Sequence, residues 1–213
     1  MVWQAVFFDF DGVILDSVCV KTAAFVEMFR VYGSDIEKKV VDYHLASGGV
    51  SRFEKFRHIH DKILGKPLKE GELTRLGNRF SALVLSGVLE APLIPGAMDA
   101  VEALQCDGIP AFIASGNPHD ELAYVVSKRG LSPYFREVHG SPRRKPEMIS
   151  DLSLRYALEP AKCLFVGDAI TDFNAAKVSG THFFGIVSKG KVSPFPKDTV
   201  VSWNVADILS RQR

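Results

Sequence analysis

The sequence is poor in the features that would narrow its class at once. Among 213 residues there are three cysteines, Cys19, Cys106 and Cys163, far apart and in no CxxC or Cys/His spacing. That argues against a disulfide framework and against a cysteine zinc site, and leads to the expectation of a reducing, cytoplasmic setting. No apolar run approaches the roughly 20 residues that a membrane helix needs. The N-terminal run from Val2 to Phe10 is broken by Asp9 and lacks a basic leader and a cleavage site, so it does not read as a signal peptide. Charge of one sign is not in excess either: the formal net charge is +1 and the pI about 7.7. No global field favours nucleic acid or a membrane surface as partner. Internal repeats and low-complexity segments are absent. What is present is 46% apolar residues, enough for a sizeable core, and a length that suits one full domain with a small insert.

Short apolar runs rich in aromatic and β-branched residues predict strands over 2–8, 109–114, 163–166 and 182–187, each buried on both faces as in a parallel sheet. Helical patterns separate them at 97–105, 119–129, 146–156 and 171–178. Gly130 and Gly180 stand where helix C-terminal caps belong. Strands alternating with helices of about ten residues imply βαβ units, hence an α/β fold with a Rossmann-like, doubly wound parallel sheet. Residues 16–90 break this rhythm. They predict helices at 18–31, 36–44, 51–64 and 69–85, with turns at Gly33, Gly48-Gly49 and Gly65, and no strand. The expected organisation is a core domain of residues 1–15 and 91–213 with an inserted helical domain of residues 16–90. A last edge strand is predicted at 199–203, followed by a short helix to Arg211.

Four short segments carry residue types suited to one chemistry, at positions where open α/β sheets bind ligands. The first is Asp9-Phe-Asp11-Gly12-Val13. Two carboxylates at i and i+2 reach one site if the chain turns at once, which Gly12 permits. One can attack phosphorus as a nucleophile, and the other can protonate a leaving oxygen and then deprotonate water; a strand followed by an Asx turn is the bland alternative. The second is Ser115-Gly116-Asn117, a hydroxyl with backbone N–H groups able to cradle phosphate oxygens, or else merely a helix cap. The third is Lys145, an ammonium able to offset negative charge. The fourth is Gly167-Asp168-Ala-Ile-Thr-Asp172, whose hard oxygens suit Mg²⁺. Asp168 would bind directly and Asp172 support it, the alternative being helix capping.

In order and spacing, Asp9-x-Asp11-Gly-Val, Ser115, Lys145-Pro and Gly167-Asp168-x-x-x-Asp172 resemble the four motifs of the haloacid dehalogenase superfamily. The insert after the first motif is similar to that superfamily's smaller, C1-type cap. The resemblance spans roughly residues 5–190 and implies Mg²⁺ held by the Asp9 carboxylate, the Asp11 backbone carbonyl and Asp168. It further implies phosphate contacts from Ser115, Gly116, Asn117 and Lys145, and a cap that closes over a small phosphorylated metabolite.

Within the superfamily, the second aspartate separates phosphoryl transfer from dehalogenation. The phosphonate-cleaving branch also lacks that carboxylate and uses a cap lysine. Lys55 and Lys62 read here as surface helix lysines. The reading is a Mg²⁺-dependent phosphatase resembling phosphoglycolate phosphatases, monomeric or homodimeric. A β-phosphoglucomutase-like sugar-phosphate mutase is the alternative. Gly49-Val-Ser-Arg52 is similar to a mutase stretch whose arginine holds the non-reacting phosphate, whereas Gly167-Asp168 differs from the mutase Glu-Asp pair. Arg52 and His44 are the candidate substrate contacts from the insert. Phe53, Phe56 and Phe80 read as the insert's own core. A scaffold that had lost its chemistry would be expected to lack one of these residues, and none is lacking.

Overall fold

A computed structural model describes residues 3–211. Six parallel strands form one sheet in the order β3-β2-β1-β4-β5-β6. They are β1 (Ala5–Phe8), β2 (Ala111–Pro118), β3 (Glu137–Ser141), β4 (Cys163–Gly167), β5 (His182–Ile186) and β6 (Val201–Ser202). The central strand β1 is wholly buried, and its alternation divides the core. Ala5 and Phe7 face a cluster with Phe112, Met148, Leu152 and Phe165, whereas Val6 and Phe8 face Ile113, Val126 and Leu131. Helices cover both faces, as a parallel sheet requires: α5 (Ala97–Cys106), α6 (His119–Lys128), α7 (Lys145–Arg155) and α8 (Ile170–Ser179). Each buried Phe of the sheet contributes roughly 2 to 3 kcal/mol of apolar transfer.

The predicted strands and core helices are all found within a few residues of their expected places; Val2 lies outside the described residues. One strand was not expected. β3, Glu-Val-His-Gly-Ser, has a single branched apolar residue and is buried only at its last two positions. It lies at the sheet edge, where alternation is weak, and its end delivers Lys145.

Between β1 and β2 the chain builds α1 (Val18–Phe29), α2 (Ser34–Ala46), α3 (Arg52–His58) and α4 (Glu72–Glu90). The helix expected over 51–64 stops at His58 and continues as a π-helical turn, Ile59–Ile63, and α4 begins and ends later than expected. Phe25 of α1 is the hub of this layer, its ring 4.9 Å from Phe80, 5.7 Å from Phe56 and 4.5 Å from His44. The two connections to the sheet run side by side: the Asp16 amide donates to Pro92 O at 2.8 Å and the Ile94 amide to Ile14 O at 3.0 Å. Among the described residues no helix is long and apolar enough to cross a membrane.

Candidate active site

The sheet order reverses at β1, so the carboxyl ends of β1, β2 and β4 open on one crevice. Asp9 follows β1, Ser115 to Asn117 end β2, and Asp168 follows β4. Lys145 comes as the first residue of α7, just past β3. These residues, predicted separately, come together. Asp9, Asp11, Ser115, Gly116, Asn117 and Asp168 line one cavity of about 200 Å³, and His44, Arg52 and Lys55 line it from the helical layer.

On the sheet side the site is acidic. Asp9, Asp168 and Asp172 each offer a carboxylate oxygen within 4.8 Å of the others. One cation answers them: Lys145 Nζ lies 2.9 Å from Asp9 Oδ2 and 2.5 Å from Asp172 Oδ1. Burial raises the Asp9 pKa to about 6, Lys145 opposing and Asp172 and Asp11 adding to the shift. Burial, followed by Asp172, Asp9 and Asp11, raises Asp168 well above the ordinary range. Burial alone would lower Lys145, but Asp172 and Asp9 hold it charged. With three carboxylates against one ammonium, full ionisation would leave two negative charges to be met, and this set of hard oxygen donors fits a divalent cation such as Mg²⁺. The Asp9 carboxylate also accepts the Phe10 amide at 2.7 Å, which fixes its orientation.

Asp11 has a different surround. The turn after β1 works because Gly12 takes φ 75° and has no Cβ; one there would lie 2.2 Å from Asp168 Oδ2. Asp11 then accepts from Lys21 Nζ, from Ser17 Oγ at 2.5 Å and from Asn117 Nδ2 at 2.8 Å. Burial would raise its pKa, yet Lys21 and these hydrogen bonds hold it below the usual carboxylate range. Asn117 is thus committed through its side chain to Asp11 and, at 2.5 Å, to Lys21. Ser115 Oγ and the backbone amides are the polar groups of this segment not committed to Asp11. Helix capping does not explain the segment, since α6 starts from Pro118 with no side-chain cap. Capping does account for part of Asp172, whose Oδ2 accepts the Ala169 amide at 3.1 Å.

The helical layer closes directly on the site. Thr171 Oγ1 donates to Gly48 O, and a Cβ on Gly116 would lie 2.4 Å from Gly49 O. Arg52, a candidate substrate contact, is buried and spoken for. It grips Glu121 of α6 at 2.6 and 3.0 Å, reaches Ser81 Oγ at 2.8 Å, and stacks 4.6 Å from the centroid of Phe80. His44 is buried in the last turn of α2 and lines the cavity. The expectation for Lys55 is overturned: it is 4% exposed, and burial followed by repulsion from Lys21 lowers its pKa to about 7. Lys62 is a surface lysine as expected.

Lys21, Ser17 and Glu121 were missed. A signal for Lys21 exists: Lys21, Ala24, Phe25 and Met28 follow the i, i+3, i+4, i+7 pattern of a buried face. Arg52, Lys55, Phe56 and Ile59 repeat it.

A parallel α/β sheet with an aspartate pair at its central strand, an acidic cluster and a helical layer closing over them define a hydrolase-type α/β protein. The chain belongs to the haloacid dehalogenase-like hydrolase family, whose sequence model matches residues 3–180. It is 24% identical over 224 residues to phosphoglycolate phosphatase 1 of Pseudomonas aeruginosa, covering 97% of this chain and 78% of that protein. It is 25% identical over 232 residues to phosphoglycolate phosphatase of Escherichia coli K12, covering 97% and 91%. Its fold is similar to that of β-phosphoglucomutase from Clostridium difficile, with TM-score 0.80, 19% identity, and coverage of 100% and 97%.

Proposed function

We propose that the chain is a Mg²⁺-dependent phosphatase acting on a small phosphorylated metabolite through an aspartyl phosphate on Asp9. The observation that carries this reading is the unequal treatment of two carboxylates in one cavity. Asp9 sits against Lys145 and its Phe10 amide contact, while Asp11 sits against Lys21, Ser17 and Asn117. The first is held against the lysine that would also meet the phosphoryl oxygens, and the second is oriented apart from it by three donors that keep it ionised, the form the water step needs. Resemblance to curated phosphoglycolate phosphatases over nearly the whole chain supports the same class.

In the first half-reaction an Asp9 oxygen bonds to phosphorus as the bond to the leaving oxygen breaks, and Asp11 delivers a proton to that oxygen. Approach of the phosphoryl dianion favours the protonated form of Asp11 that this step needs. In the second, ionised Asp11 takes a proton from water, whose oxygen bonds to phosphorus as Asp9 leaves. Lys145, Ser115 Oγ and the amides of residues 116 and 117 would balance the phosphoryl oxygens. Asp9, Asp168 and the Asp11 carbonyl would hold Mg²⁺, which when bound supplies charge neutralisation and orientation of those oxygens. We assign residues 16–90 as a cap domain that hinges at the paired connections near Asp16 and Pro92, excluding bulk water when shut.

Two observations favour the phosphatase over the mutase. The guanidinium that would hold a second phosphate is bound bidentately by Glu121. Position 167 has no room for the mutase glutamate, because a Cβ there would lie 2.3 Å from Asp172 Cβ. The test is phosphate release from an aryl phosphate and a metabolite panel that includes a β-hexose-1-phosphate. Release is expected with Mg²⁺, falling roughly a thousand-fold or more in Asp9→Asn. Undiminished release by Asp9→Asn would overturn the mechanism, and isomerisation of the hexose phosphate without net release would replace phosphatase by mutase.

A further inference from the structure

The cap side of the cavity holds two buried donors that the phosphoryl chemistry does not use. Lys55 Nζ donates to His44 Nδ1 at 2.9 Å and to His44 O at 3.2 Å. An ammonium has three protons, so one N–H remains uncommitted. Because His44 Nδ1 accepts from Lys55, the ring of the neutral imidazole carries its proton on Nε2. His44 is 7% exposed, and Nε2 has no hydrogen-bond partner among the described residues. Burial, with the Lys55 charge next, keeps this imidazole neutral, its pKa lowered to about 3.

Charge points the same way. Of the three cations that line the cavity from the helical layer, Lys21 is paired with Asp11 and Arg52 with Glu121, while Lys55 forms no ion pair among the described residues. A buried ammonium without a counter-ion is costly, and so is a buried N–H without an acceptor. A single group that is anionic and has two acceptor oxygens would relieve both.

We propose that Lys55 and His44 form the leaving-group subsite, and that it takes a carboxylate, so that the substrate is a compact phosphomonoester of a hydroxy acid. This deepens the phosphatase reading and rests on it, since only a phosphoryl group at Asp9 puts the leaving group beneath the cap. Phe25 and Phe80, which line the same cavity, flank the subsite with apolar surface. That surround suits a small acid better than a polyol, whose hydroxyls would find few partners there.

The test uses binding, not turnover. 3-Phosphonopropionate carries a phosphonate and a carboxylate, and propylphosphonate replaces the carboxylate with a methyl group. Calorimetric titration of the full chain with Mg²⁺ should show the carboxylate analogue binding roughly ten-fold tighter or more. Lys55→Met should collapse that ratio. In ¹⁵N spectra of the unsubstituted protein, the His44 Nε2 signal should move with 3-phosphonopropionate and not with propylphosphonate, a readout that needs no variant to fold. Equal affinities in the unsubstituted protein, or a ratio untouched by Lys55→Met, would overturn the subsite. Phosphate release from simple esters without any carboxylate preference removes the subsite and leaves the phosphatase. Carboxylate-selective binding with no phosphate release from phosphoglycolate does the reverse.

Discussion

The two walls of the cavity are opposites. The sheet wall gathers Asp9, Asp168 and Asp172 around a single lysine, whereas the helical wall brings Lys21, Arg52 and Lys55 with no carboxylate of its own at the cavity. Charges cross the gap in two places, Lys21 to Asp11 and Arg52 to Glu121. Those pairs draw the walls together, and what they leave over differs in sign: negative at the sheet, positive at Lys55. A metal phosphate ester of an acid has the complementary order, cation, phosphoryl group, then anion. Neither wall could read such a ligand alone, which gives a physical reason for building the site from an insert and a core.

The sharpest way to break the comparison is to neutralise the sheet wall. Asp168→Asn removes a cavity-lining carboxylate whose ionisation burial and three carboxylates oppose. Activity with Mg²⁺ should fall roughly a hundred- to a thousand-fold, to the level that EDTA produces in the unsubstituted protein. Without Mg²⁺ the variant should melt higher than the unsubstituted protein, because like-charge repulsion is relieved, and Mg²⁺ should no longer raise its melting temperature. Thermal melts with and without the ion check this. A variant that still gains stability from Mg²⁺ would place the ion elsewhere.

A smaller effect is expected where the walls meet. Lys21 touches Asp11 and Asn117, so Lys21→Met should disorder the proton carrier and leave Asp9 in place. The loss should be roughly ten- to a hundred-fold for an alkyl phosphate, whose leaving oxygen needs a proton, and a few-fold for a nitrophenyl phosphate, whose oxygen does not. Comparing kcat/KM for the two esters measures it. Equal losses would make Lys21 a general binding residue and not one that positions Asp11.

The two walls were also unequally legible. The sheet wall could be read from sequence because each of its residues follows a strand, and strands buried on both faces announce themselves as apolar runs such as Ala5–Phe8 and Cys163–Gly167. Only the strand before Lys145 escaped, since Glu137–Ser141 has almost no apolar run to show. The helical wall reads as four helices in sequence, but residue type alone assigns Lys55 to the surface, makes Arg52 a substrate contact and gives Lys21 no role. Lysine and arginine are mostly exposed, and only the helical stripe in which Lys21 and Lys55 sit says otherwise. The partner of Arg52 lies 69 residues away in α6, a pairing that depends on how the helical layer docks and has no local signature.

The mildest test concerns what the helical wall costs in stability. Lys55 is faced by Lys21 on α1 and His44 on α2, with Lys145, Asp11 and Asp168 across the cavity. Its pKa is lowered from 10.5 to about 7 on folding, so between those values the unfolded chain binds the proton that the folded chain does not. Stability then rises with pH across that window and is lowest, as far as this group is concerned, below its lower edge. Lys55→Met removes the buried charge but leaves His44 Nδ1 and its carbonyl without their donor, a loss of about 1 to 3 kcal/mol that offsets much of the gain. The net change near pH 6 should therefore be a stabilisation of only about 1 kcal/mol, turning into a destabilisation of about 1 to 3 kcal/mol as pH approaches 10 and only the lost hydrogen bonds remain. Urea unfolding across that range, without Mg²⁺ or phosphate, measures it. If the variant is less stable at pH 6 and the difference does not depend on pH, Lys55 is a structural ammonium already balanced within the fold. The helical wall would then carry no spare positive charge to set against the sheet.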